Sequence, residues 1–168
     1  MKKNVGITNI YIDNVLFNIS KSYKGTFSCD NIPLFKNKKI SIICNLSKEK
    51  ENGSHFVGVY FLKDKIFYFD SFGMKNNNIY LKKYLKKYEK KVIHSKKQIQ
   101  HVFSNHCGFF CMLFILFLEN KFTLEYFLNV FDKQNLFQND NICIKLTQYF
   151  IEKVQVFKNE RNILKYKK

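Results

Sequence analysis

The segment Gln100–Cys111, QHVFSNHCGFFC, is the most informative stretch of this 168-residue sequence. The polar, turn-prone residues Ser104 to His106 precede Cys107, and an apolar run then continues to Leu118. This pattern predicts a buried helix that begins at the cysteine. A thiol in the first turn of a helix lies near unpaired backbone N–H groups and the positive end of the helix dipole, which both favour the thiolate. The segment therefore indicates a nucleophilic cysteine, although a core helix that merely begins with cysteine would show the same pattern.

Length and composition predict one domain spanning residues 1–168. Hydrophobic residues make up 46% of the chain and aromatic residues 17%, which excludes a disordered chain. The longest apolar run, 109–118, is much shorter than the roughly 20 residues that cross a bilayer. The N-terminal sequence MKKNVGITNI has no sustained apolar region of the signal-peptide type. We therefore expect an intracellular protein without a membrane partner.

The five cysteines do not form the close-set pairs of a zinc module, so we predict no metal site. Free thiols in a reducing compartment are the simpler explanation. Besides Cys107, we expect four structural thiols, of which Cys111 should face the core one helical turn beyond the nucleophile: Cys29, Cys44, Cys111 and Cys143.

The formal net charge of +16 creates a favourable field for polyanions, and all but one of the 29 basic residues are lysine. An AT-rich coding sequence would inflate the lysine content in the same way without any selection for binding. The predicted helix 76–92 concentrates lysines on one face, which suggests a non-specific, salt-sensitive DNA contact or else a solvated surface. The candidate DNA contacts are Lys82, Lys83, Lys86, Lys87, Lys90 and Lys91.

Hydrophobic periodicity predicts an α+β fold in which a mixed or antiparallel sheet packs on the central helix. A first helix should begin after Thr8, and an antiparallel hairpin should join the strands 56–62 and 66–69. The other predicted elements are strands 39–46 and 99–103 and helices 76–92, 107–118, 123–131 and 140–154.

Cysteine catalysis requires a base, a group that orients the base, and donors for the developing oxyanion. His55 is the best placed of the four histidines because it stands where a polar turn becomes a strand. Asp70 ends the other strand of the hairpin, so its carboxylate should accept from Nδ1–H of His55. The backbone N–H of Cys107 and the side chain of Gln100, with Gln98 as the spare, would serve as oxyanion donors.

Each of these residues also has an ordinary structural explanation. A histidine that enters a strand is often a surface group, an aspartate that ends a strand is often a turn former, and a glutamine in a polar run is often exposed. Their order and spacing together favour the catalytic interpretation.

That order and spacing resemble the adenovirus-type processing proteases (adenain) and their clan, which includes the SUMO- and ubiquitin-like-specific cysteine proteases. In this clan a histidine precedes an aromatic residue, as in Ser54-His55-Phe56. An acidic residue then stands in an aromatic–acid–x–Phe–Gly stretch, as in Phe69-Asp70-Ser71-Phe72-Gly73. A glutamine lies seven residues before the nucleophile, as do Gln100 and Cys107, and Gly108 to Cys111 continue the pattern. Gly25-Thr26-Phe27 also resembles a segment of the adenovirus enzymes, so the resemblance covers roughly residues 23–118.

The resemblance implies a papain-like or adenain-like architecture and a thiol endopeptidase with Cys107, His55, Asp70 and Gln100 as its catalytic residues. It implies cleavage after small, glycine-rich sequences of the Gly-Gly type. The substrates would be capsid or core precursors of a DNA virus or virus-like element. The protein would act as a monomer in the host nucleus or a cytoplasmic virus factory, and would be packaged in the virion. No cofactor is required for the chemistry, although DNA would serve as an activator.

Three features depart from the adenovirus pattern. Phe56 replaces the usual tryptophan after the histidine, and Asp70 replaces glutamate as the acid. No cysteine lies between Cys44 and Cys107, which argues against activation by a disulfide-tethered peptide. Two alternatives remain: a protease that removes a ubiquitin-like modifier, and a basic nucleic-acid-binding virion protein without catalysis.

Overall fold

The computed structural model describes residues 6–36 and 39–165, with the side chains of 154–165 excepted. The chain forms five strands and five helices in this part. In chain order they are α1 (Asn9–Ile19), β1 (Tyr23–Ser28), β2 (Ile40–Asn45), β3 (Phe56–Phe61), β4 (Lys65–Phe69), α2 (Ile79–Lys86), β5 (Lys91–His94), α3 (Cys107–Glu119), α4 (Leu124–Asn129) and α5 (Leu136–Lys165). No helix in the described ranges is both long and apolar enough to cross a membrane.

The strands form one mixed sheet in the order β1-β2-β3-β4-β5. The three central strands run antiparallel, whereas β1 and β5 add to the two edges in parallel. The β3–β4 hairpin pairs Gly58 with Phe69, so the start of β3 and the end of β4 lie at the same end of the sheet. This register is the one that the predicted hairpin required.

The sheet separates two hydrophobic clusters, and the larger one contains α3. Ten of the thirteen α3 residues are buried, so this helix is covered on all sides, as its uninterrupted apolar sequence indicates. It packs directly on β3, where Gly58 provides the necessary space. A Cβ atom on Gly58 would come within 2.7 Å of Cδ1 of Phe114. On the other face of the sheet, the second cluster holds α2 through Leu81 and Leu85.

The first helix, the hairpin, α3 and α4 confirm the sequence predictions. Thr8 caps α1, and its side chain accepts a hydrogen bond from the backbone N–H of Tyr11 at 3.2 Å. The last predicted helix also exists, but it begins earlier than residue 140, at Leu136.

Two predictions of secondary structure are wrong. The lysine-rich helix does not continue to residue 92, because Glu89 adopts a left-handed conformation (φ 50°) and turns the chain into β5. The predicted strand 99–103 is a loop, because the backbone N–H groups of Ile99 and Gln100 both donate to the carbonyl of Ser71 rather than to a strand. The sequence analysis also missed both edge strands, β1 and β5.

The contact between Gly58 and Phe114 gives a test of the packing of α3 on β3. Because the ring of Phe114 is fully buried and stacks on Phe69 at 4.9 Å, it has little room to move. Gly58→Ala should therefore lower the free energy of unfolding by about 1–3 kcal/mol in urea denaturation. Phe114→Leu removes the obstructing ring, so the double variant should lose less stability than the sum of the single variants. Strictly additive losses would contradict this packing.

Candidate active site

The hairpin places His55 beside Asp70. His55 directly precedes β3 and Asp70 directly follows β4, and Nε2 of the imidazole lies 3.0 Å from Oδ1 of the carboxylate. The prediction that these two residues pair is confirmed, but the predicted ring nitrogen is wrong. The imidazole stacks on the ring of Phe72 at 4.9 Å and presents Nε2, rather than Nδ1, to the carboxylate. Nδ1 is therefore the nitrogen available to a neighbouring thiol.

The carboxylate of Asp70 is held in place from several directions. Its side chain is 3% exposed, and Oδ1 also accepts a hydrogen bond from the backbone N–H of Phe72 at 2.8 Å. The backbone N–H of Asp70 donates to Oγ of Ser95 at 3.1 Å. A buried carboxylate with these fixed donors can orient the imidazole and stabilise its charged form.

Cys107 is the first residue of α3, and its side chain is one of the neighbours that raise the pKa of His55. It is partly exposed, whereas the other four cysteines, also free thiols, are buried. The close packing of the segment before α1 explains why glycine follows the nucleophile, since a Cβ atom on Gly108 would lie 2.7 Å from Cγ1 of Ile7. Cys111 faces the core as predicted, and burial raises the pKa of its thiol well above the ordinary value.

The electrostatics of His55 favour the imidazolium. Burial of the ring disfavours the charged form and by itself lowers the pKa. Hydrogen bonds to Asp70 and Cys107, together with the negative charges of both partners, outweigh burial and raise the pKa of His55 to about 9. At neutral pH His55 is therefore charged, which suits it to donate a proton to a leaving group.

Gln100 occupies a position that Ser71 determines. Both residues are completely buried. Oγ of Ser71 donates to Oε1 of Gln100 at 2.5 Å, and the carbonyl of Ser71 accepts from the backbone N–H of Gln100 at 3.1 Å. Nε2 of Gln100 donates to the carbonyl of Ser104 at 2.9 Å and keeps a second N–H for another acceptor.

A cleft of about 810 Å³ contains these groups. Its lining includes three of the four predicted catalytic residues, Cys107, His55 and Gln100, while Asp70 lies behind His55. No side chain of the described residues caps the start of α3. The backbone N–H of Cys107 and the amide of Gln100 are two donors in the lining of one cleft, of the kind that an oxyanion site requires.

The remaining candidate residues lie elsewhere. Gln98, the spare donor, uses its amide to hold the carbonyl of Gln100 at 3.1 Å. His106 faces Asp140 at 3.8 Å, and His94 belongs to β5 rather than to a solvated connection. The sequence analysis missed Ser71, Phe72 and Ser95, although the Asp-Ser-Phe-Gly stretch contained the first two.

The six lysines proposed for DNA binding do not share one helix face. Lys82, Lys83 and Lys86 are exposed on α2, and Lys87 is the residue at its C-terminal cap. Lys90 donates to the carbonyl of Leu62 at 2.8 Å, and Lys91 begins β5.

Two solved structures share this fold. The SUMO protease Ulp1, with its catalytic cysteine oxidised to a sulfinic acid, has a TM-score of 0.52 and 17% sequence identity over 89% of this chain and 81% of its own. The pS273R protease of ASFV has a TM-score of 0.51 and 14% identity over 81% of this chain and 67% of its own. No family model and no curated protein matches the sequence. The chain therefore has the α+β fold that these two cysteine proteases share.

Proposed function

We propose that this protein is a cysteine endopeptidase in which Cys107 is the nucleophile and His55 its acid and base. One observation carries the proposal: Cys107, at the start of a helix, lines the same open cleft as His55, and the imidazole of His55 lies 3.0 Å from a buried carboxylate. The fold shared with two known cysteine proteases supports the same assignment. Histidine, aspartate, glutamine and cysteine also follow one another in the order of the clan that the sequence resembles.

The mechanism follows from this arrangement. The Cys107 thiolate attacks the carbonyl carbon of the scissile bond, and the oxyanion accepts hydrogen bonds from the N–H of Cys107 and the amide of Gln100. The imidazolium of His55 gives its proton to the departing amine, which leaves an acyl-enzyme. Neutral His55 then takes a proton from water, which attacks the thioester and releases the acid. Asp70 orients the ring throughout.

The substrate proposal rests on the resemblance to the adenovirus-type enzymes. The protease would cleave after Gly-Gly-type sequences in capsid or core precursors of a DNA virus or virus-like element, within the host cell, as a monomer that is packaged in the virion. DNA would serve as a non-specific activator that contacts the exposed lysines of α2. Salt-sensitive binding of oligonucleotides, weakened by Lys82→Glu/Lys83→Glu, would support this contact.

The likeness to Ulp1, a SUMO protease, favours a second candidate, the removal of a ubiquitin-like modifier. The same catalytic residues would serve both reactions. Parallel assays with modifier-conjugated proteins and with Gly-Gly peptides from capsid precursors separate them, since the true substrate should show the larger kcat/KM. Rapid, His55-dependent labelling of Cys107 by an acylating probe would exclude a virion protein without catalysis.

Replacement of the nucleophile tests the proposed mechanism. Cys107→Ala should reduce cleavage of a Gly-Gly peptide by at least about 10³-fold, because no other group can form the acyl-enzyme. Cys111→Ala is the matched control and should retain cleavage, because this thiol is buried and uncharged. Equal rates for Cys107→Ala and the parent would contradict the mechanism.

The second prediction concerns pH. Cleavage requires the imidazolium, so kcat/KM should fall as the pH rises through about 9, the pKa of His55. Asp70→Asn removes a charge and a hydrogen bond that raise this pKa, so the alkaline limb should move to lower pH.

The raised pKa of His55 also contributes to the stability of the folded protein. This contribution is fully present below the unfolded-state pKa of roughly 6.5. This contribution should disappear as the pH rises through about 9. An alkaline limb of the kcat/KM profile that stays at the same pH in Asp70→Asn would contradict the role of the carboxylate.

The third prediction concerns Ser71 as a positioning residue for Gln100. Ser71→Ala removes the hydroxyl that holds Oε1, so the amide can rotate and present oxygen instead of N–H to the oxyanion. We expect kcat to fall by about 10–100-fold with little change in KM, because the lost interaction exists only in the transition state. Ser71→Thr keeps the hydroxyl and should restore part of kcat. An unchanged kcat in Ser71→Ala, or a loss confined to KM, would contradict this role.

A further inference from the structure

A second pocket, of about 890 Å³, lies at the end of the sheet opposite the active-site cleft. It opens beside the β3–β4 turn, near Leu62 and Lys65, and extends to the C-terminal end of α3 and to α4. It shares no lining residue with the cleft. Its volume lies within the roughly 300–1,000 Å³ that is typical of ligand sites. We call it the lysine-rimmed pocket.

The floor of the lysine-rimmed pocket is apolar. The floor consists of aliphatic side chains from the sheet and from α4 that are only partly buried and so remain accessible from the pocket. These side chains are Leu62, Ile93, Leu124 and Leu128. A floor of this kind favours an apolar ligand group of the size of a leucine or phenylalanine side chain.

The rim of this pocket is strongly cationic. Six lysines line it against one carboxylate, that of Glu125. None of the six forms an ion pair with a carboxylate in the described part of the chain, and Lys97 alone uses its ammonium to hold backbone carbonyls, those of Leu128 and Phe131. The six are Lys39, Lys65, Lys96, Lys97, Lys121 and Lys133. Like charges so close together repel one another, and a bound anion would relieve that repulsion.

A buried hydroxyl at the floor also lacks a partner. Tyr60 lines the pocket and is 1% exposed, and its hydroxyl makes no hydrogen bond to any described residue. A buried polar group without a partner is costly, and a ligand oxygen that enters the pocket would accept from it. The site is thus prepared for a ligand that combines acceptor oxygens with apolar surface.

Contacts within the protein already occupy faces of the aromatic rings of the pocket. Ammonium groups of Lys39 and Lys65 lie over the rings of Tyr60 and Phe67, at 5.8 and 5.7 Å. Phe122 stacks on Tyr126 at 5.1 Å. Binding of single strands depends on exposed ring faces, so these contacts favour a peptide over an oligonucleotide.

We propose that the lysine-rimmed pocket binds an acidic peptide segment of a partner protein, with an aliphatic or aromatic side chain of that segment inserted between the lysines. The carboxylates of the segment pair with the rim, and its apolar side chain covers the floor. The binding is separate from the chemistry at Cys107 and requires no cleavage.

Fluorescence anisotropy with the full chain tests this proposal. The probe is a labelled peptide of aspartate and glutamate around one central leucine. Lys96→Glu/Lys133→Glu reverses two exposed rim charges and should weaken binding by about tenfold or more at low salt. Lys145→Glu/Lys153→Glu makes the same change in net charge at two exposed positions of α5 and should bind as the parent does. Thermal melting of both variants verifies that they fold.

Two control probes complete the experiment. A peptide with glycine in place of the central leucine should bind more weakly, because the floor is then left uncovered. An oligothymidylate should bind with less dependence on Lys96 and Lys133 than the acidic peptide does. Equal weakening by the rim and α5 variants, indifference to the leucine, or an oligonucleotide that depends more strongly on the rim would each overturn the proposal.

Discussion

The packing of α3 on β3 is the constraint on which the rest of the structure depends. It fixes the sulfur of Cys107 relative to the imidazole of His55. Cys107 is the first residue of α3, and His55 directly precedes β3. Gly58 permits the approach because it makes room for Phe114, and Gly108 makes room for Ile7 in the segment before α1. A helix with ten buried residues tolerates little displacement, since protein interiors are close-packed. The hydrophobic core thereby acts as the positioning device of the active site.

The second determinant is the turn 70–73, which links the two halves of the site. Asp70 orients the imidazole, and the next residue, Ser71, holds Gln100 through both its hydroxyl and its carbonyl. Gly73 adopts a φ of +70°, and a Cβ atom there would lie 2.8 Å from the backbone of Lys97 and Gln98. One short turn therefore positions both the base and the candidate oxyanion donor.

These features explain why the catalytic residues were easier to predict from the sequence than the edge strands of the sheet. The uninterrupted apolar run after Cys107 and the hairpin from His55 to Asp70 are strong local patterns, so α3 and the histidine–carboxylate pair could be predicted. The edge strand β1 contains a bulge at Gly25, and β5 has four residues within a lysine-rich segment, so neither shows a clear alternation. The ring nitrogen that faces Asp70 depends on the stacking of His55 on Phe72, a tertiary contact that no local pattern reveals.

The charge state of His55 gives the most direct test of the mechanism. An NMR titration of the ring protons measures the pKa of this histidine. A Cys107–His55 pair backed by Asp70 predicts a pKa of about 9 in the parent protein. In Cys107→Ala the pKa should fall toward the ordinary histidine value of roughly 6.5, since a hydrogen bond and a negative charge are lost. A histidine that titrates near the ordinary value in the parent, or at the same pH in both proteins, would contradict the account.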